Sequence, residues 1–166
     1  MKKCIIALSF GDGSYKHGAA NKAIAEYTVD LSLAYEKLPI IAQWELAENI
    51  ATDPYFKKLI VHTVSPDNSG EYVTTRNVLR KAKKIMQQEG YEAAILVAHP
   101  AHMPRVKYTA TGFMQEGIVV YTPPMHRIKP VKKIWDKDST QPWTRSPGEF
   151  WRREMVAKVL TFLRII

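Results

Sequence analysis

Two histidines and an arginine crowd into AHPAHMPRV, residues 98 to 106, directly behind the apolar run YEAAILV. An imidazole titrates near neutral pH and can act as acid or base, and a guanidinium grips carboxylates and phosphates through paired N–H groups. His102 is therefore a candidate acid or base. Arg105 beside it reads as an anion clamp, and His99 lies on the same stretch as a candidate ligand contact. The His-x-x-His spacing resembles a metal pair, yet Pro100 and Pro104 disfavour a regular helix through it and no third ligand is marked nearby. A catalytic zinc needs three protein ligands, so no metal is expected. The plainer alternative is that His102 caps a loop and Arg105 is solvated.

Three other stretches carry chemistry. In SFGDGSYKHG, Gly11 and Gly13 permit positive φ and close backbone approach, as a phosphate-cradling turn requires, with Ser14 beside them. The stretch is neither a Walker A sequence nor G-x-G-x-x-G, and a tight turn needs glycine for structural reasons alone, so both readings stand. In AQWELAEN, Gln43, Trp44 and Glu45 fall where an apolar run passes into a helical one. Glu45 either complements the helix dipole or serves as a general base or ribose-hydroxyl partner; Trp44 is either core or rim. In TTRN, Thr74 can cap a helix while Asn77 faces the same end, and capping alone would explain Thr74.

These residues need elements to position them. CIIALSF (4 to 10), LPIIAQ (38 to 43), LIVHTV (59 to 64), AAILVA (93 to 98) and GIVVYT (117 to 122) are continuously apolar, which suits parallel strands buried on both faces. Between them run helical patterns: Ala20, Ala23, Ile24, Tyr27, Leu31, Ala34 and Tyr35 share one face, as do Val78, Leu79, Ala82, Ile85 and Met86. Alternation of strand and helix predicts a doubly wound α/β sheet. Ligands of such sheets bind beyond the carboxyl ends of the strands, where all four stretches lie. SPGE, residues 146 to 149, marks the start of a last helix over 147 to 164, with Ser146 as N-cap, Pro147 at the first helical position and Glu149 completing a capping box. Its stripe of Trp151, Met155, Val156, Val159, Leu160 and Leu163 is expected to close one face of the sheet. The basic, proline-rich connection over 123 to 146 is too long for an ordinary loop, and reads as a lid or an excursion.

The 166 residues suit one domain with a single core. With 46% hydrophobic and 24% charged residues, the chain falls outside the disordered and fibrous classes. A formal net charge of +8, densest from Arg127 to Lys137, points to an anionic partner. Cys4 stands alone and fits a reducing compartment. No stretch approaches the roughly 20 apolar residues of a membrane helix, so a cytoplasmic protein is expected.

The glycine turn after the first run, TTRN (74 to 77) and HMPR (102 to 105) together resemble the YdcF/SanA/ElyC-like α/β domain family of bacteria, over roughly residues 4 to 124. The resemblance implies a Rossmann-like three-layer α/β/α sandwich of about five mostly parallel strands, with motifs gathered at the carboxyl edge. The matching positions are Gly11, Gly13, Thr74, Asn77, His102 and Arg105. It also implies S-adenosylmethionine binding, as in some members, or envelope and lipid-carrier metabolism, as in others. Three departures stand out: Gln43, Trp44 and Glu45 replace a usual Ser-Gly-Gly, Arg76 replaces a more usual Glu, and the membrane anchor of many relatives is not seen. The leading expectation is a small-molecule domain for an anionic or nucleoside-like ligand, with Glu45 or His102 as base or acid in any reaction of a transferase or hydrolase kind. A basic nucleic-acid-binding domain is the first alternative, since KPVKKIW mixes lysines with a stacking aromatic. The second is a non-catalytic module that contacts a partner through the proline-rich segment.

Overall fold

The computed structural model describes residues 1–11, 18–54, 56–68, 73–114, 117–123, 135, 139 and 141–162. Gly13 and Ser14 lie outside the described residues, as does most of the connection over 123 to 146. Among those described, strands β1 (Lys3–Ala7), β2 (Ile40–Gln43), β3 (Val61–Val64), β4 (Ala93–Val97) and β5 (Val119–Tyr121) alternate with helices α1 (Ala19–Ala34), α2 (Trp44–Ala51), α3 (Thr75–Glu89) and α4 (Met103–Met114). A 3-10 turn at Pro142–Thr144 then leads into α5 (Pro147–Phe162). The sheet is ordered β3-β2-β1-β4-β5 and every pair is parallel. This is a Rossmann-like α/β fold, and the strand order reverses between β1 and β4, which makes that crevice the topological switch point.

The register explains the continuous apolar runs. Ile5 stands between Ile40 and Ile95, and Ile6 between Ile41 and Leu96. Successive residues of one strand turn to opposite faces. Ile5 and Ala7 therefore pack with Ile24, Leu46 and their neighbours from α1 and α2, while Ile6 and Leu8 pack with Leu79, Met86 and Val106 from α3 and α4. Both faces are covered, giving three layers, so the central strands have no polar side. The outer strands differ from expectation. Val119 and Tyr121 of β5 are 43% and 42% exposed, and in β3 Val61 and His62 are only partly covered and Thr63 is exposed, because an edge strand has one neighbour and the helices thin out above it.

The helices form where their signals lie; α1 buries Ala20, Ile24 and Leu31 as expected and packs Ala23 and Tyr27 on the core, whereas α5 buries a different face from the pattern. α1 turns Asn21, Ala25 and Thr28 inward beside Ala20 and Ile24, and Tyr35 lies 48% exposed just past its end. In α5 Ser146 caps the helix: its Oγ accepts from the Glu149 amide at 3.3 Å and donates to Glu149 Oε2 at 3.0 Å, so the glutamate engages the cap through the hydroxyl. The expected apolar stripe is turned outward, with Trp151 50%, Met155 69% and Val156 58% exposed; Phe150, Glu154 and Ala157 are buried instead. α5 does not cover the open side of β5, where Val119 and Tyr121 remain exposed. Its first turns sit at the carboxyl edge, where Phe150 joins the α1–α2 cluster and Glu154 reaches α4. Side chains from 158 onward in this stripe lie outside the described residues. No described helix is long and apolar enough to cross a membrane.

Candidate functional site

Beyond β1 the chain makes a turn that other elements fasten. The Leu8 amide donates to the Val97 carbonyl at 2.9 Å, Ser9 to Gln43 Oε1 at 3.2 Å, and Phe10 to Asn21 Oδ1 at 2.7 Å. Gln43 from the end of β2 and Asn21 from the first turn of α1 thus hold the mouth of β1 in place. Gly11 follows with φ +108°, a conformation that L side chains rarely adopt, and a Cβ there would stand 3.6 Å from Ser139 Oγ and Thr144 Oγ1. The glycine is required by its backbone conformation, while the C-terminal segment beside it would leave a Cβ in ordinary contact.

The second exit divides its three residues. Gln43 Nε2 donates to Glu45 Oε1 at 3.3 Å, and the Asn49 side chain donates to the Glu45 carbonyl at 2.7 Å. Glu45 is 4% exposed in the first turn of α2, where the dipole favours its charge. Trp44 points elsewhere: it lines a groove of about 490 Å³ with Ala47, Ala51, Phe56, Val61 and Thr63, between α2 and the edge strand β3. The Gln-Trp-Glu sequence therefore supplies two side chains to the β1–β2 mouth and one to a separate groove.

The fourth exit builds the densest polar cluster. The carbonyl of His99 accepts from the amides of His102 and Met103 at 2.8 and 3.0 Å, which opens α4 directly after β4. His102 is 5% exposed, with Nδ1 3.0 Å from an Arg105 terminal nitrogen and Nε2 3.2 Å from Thr75 Oγ1. A guanidinium only donates, so Nδ1 is the acceptor, and the proton assigned to Nε2 is donated to Thr75. Burial, and then the Arg105 charge, hold the His102 pKa well below its usual 6.5. Neutral, and engaged at both nitrogens, this ring positions Arg105 and is poorly placed to take a proton. Arg105, three-quarters buried, meets Glu154 Oε1 of α5 at 3.2 Å. Thr74 does cap α3, accepting from the Asn77 amide at 3.2 Å. It is Thr75, one residue on, that faces His102.

Aromatic rings lie over the switch point. Phe10, just past β1, stacks on His99, just past β4, with centroids 3.9 Å apart and planes 15° from parallel. Trp135 sets its edge against both at 5.5 and 5.1 Å, and Phe150 of α5 completes the group 5.5 Å from Phe10. His99 is fully buried, and its Nδ1 accepts from the Ala101 amide at 3.3 Å. No three His, Cys, Asp or Glu side chains come together in a metal-holding group among the described residues.

The tertiary structure thus gathers Gly11, Gln43 and Glu45 at one side of the carboxyl edge, and His99, His102 and Arg105 at the other. Asn21, Thr75, Phe150 and Glu154 complete the arrangement without having been singled out from the sequence, and Trp135, the aromatic of KPVKKIW, joins them here as a ring packed on Phe10 and His99. Only Asn21, a polar residue on an apolar helical face, carries a local signal. Chemically the cluster can hold an anion on Arg105, which here carries the Glu154 carboxylate. No family model, curated protein or solved structure matches the chain.

Proposed function

We propose that this chain is a small-molecule-binding domain of the YdcF-like kind, whose ligand is anionic or nucleoside-like and binds at the carboxyl edge beside the β1/β4 switch point. One observation carries the reading. A three-quarters-buried guanidinium, braced by a neutral histidine, stands at that edge and already grips a carboxylate. A buried arginine there is expensive unless an anion accompanies it, and the fork geometry suits carboxylate or phosphate. The rings of Phe10 and His99 would offer a face to a nucleobase once Trp135 or Phe150 moves off them, and Glu45 is the carboxylate suited to a ribose hydroxyl. Nucleotides, S-adenosylmethionine and phosphorylated carriers all present such groups.

Thermal denaturation against AMP, S-adenosylmethionine and a uridine diphosphate sugar tests the reading. A ligand at one hundred times its Kd adds roughly 2.7 kcal/mol of stability, which raises the Tm of a domain this size by several degrees. The shift should vanish in the paired variant Arg105→Gln, Glu154→Gln, which removes both charges together, and persist in Lys84→Ala. A chain that none of the three stabilises, or whose shift survives the paired variant, overturns the proposal.

A further inference from the structure

We infer that α5 is an autoinhibitory lid, and that the Glu154 carboxylate stands on Arg105 as an internal substitute for the ligand's anionic group. The inference rests on the anion-site reading above and deepens it. Glu154 is 4% exposed, and its Oε1 lies 3.2 Å from the Arg105 guanidinium. A buried ion pair is a weak device for stability, because desolvation offsets most of the attraction and an apolar residue would pin the helix as well. What the pair does allow is exchange: an incoming carboxylate or phosphate can replace Glu154 on the same donors without leaving Arg105 unpaired.

Two further features fit a helix that leaves. Among the described side chains, docking buries Phe150, Glu154 and Ala157, while Trp151, Met155 and Val156 stay half or more exposed. The described part of its apolar stripe thus adds little burial to the docked state. The docked helix and its approach also cover the crevice. Phe150 lies on Phe10, Trp135 on His99, and Ser139 and Thr144 against Gly11. A ligand reaching from the β1 turn to Arg105 must displace them. While α5 is docked, apparent affinity falls by the fraction of molecules that are open, so weakening the latch should tighten binding.

The experiment compares wild type with Glu154→Gln by calorimetric titration of AMP, S-adenosylmethionine and a uridine diphosphate sugar, and follows hydrogen exchange of the 147–162 peptide in the wild-type chain. Expected are binding at least tenfold tighter in Glu154→Gln and faster exchange of α5 when wild type is saturated. Equal or weaker binding in Glu154→Gln, with wild type still binding, overturns the lid and leaves the anion site standing. Slower exchange of α5 on saturation also overturns the lid, and this measurement needs no variant to fold. Absence of binding by either protein overturns the anion site and the lid with it.

Discussion

His102 shows how a residue chosen for reactivity can be committed to structure. Its ring is neutral because burial and the adjacent guanidinium both oppose a second proton. The unfolded chain, by contrast, protonates this side chain below about pH 6.5. The unfolded state then binds more protons than the folded one, so folding stability falls as pH drops below that value, by up to about 1.4 kcal/mol per pH unit until the folded ring titrates. His102→Asn keeps an acceptor near Arg105 and cannot titrate. Urea unfolding between pH 7 and pH 5 should show a smaller loss of stability in this variant than in wild type; parallel curves would mean that the ring is not held neutral.

At the level of elements, α5 shows why periodicity is a poor guide to which side of a helix is buried. Trp151, Met155 and Val156 form the stronger apolar stripe, yet they stay exposed although β5 leaves Val119 and Tyr121 uncovered on the α1–α2 face. The helix instead presents Phe150 to the aromatic group above β1 and Glu154 to Arg105. Phe150→Ala should therefore cost about 3 kcal/mol in chemical denaturation, in the range for a buried phenylalanine, whereas Met155→Glu should lie within about 0.5 kcal/mol of wild type. The reverse order of these two costs would place the other stripe against the fold.

For the whole molecule, the sheet centre should be the part that opens last. Cys4 in β1 has neighbours on both sides, is fully buried, and its thiol is pushed up to about 12 by burial. At pH 8 native protein should resist iodoacetamide, with labelling appearing only along the global unfolding transition. Labelling at low denaturant, ahead of that transition, would show that β1 is exposed by a local opening.

The apolar runs, the helix-start signals at Thr74 and Ser146 and the alternation of strand with helix were enough to determine a parallel α/β sheet. These are local regularities that each segment carries by itself. The carboxyl-edge position of Gly11, Gln43, Glu45, His99, His102 and Arg105 followed from that architecture. What occupies Arg105 did not, since Glu154 lies 49 residues away and looks like any surface acid on a polar helix. Nor could the pattern tell that Trp44 faces a separate groove, that Thr75 and not Thr74 serves His102, or that α5 buries its weaker stripe. Each of these depends on which surfaces remain uncovered once the layers have packed, a property of the assembled sheet rather than of any stretch of chain.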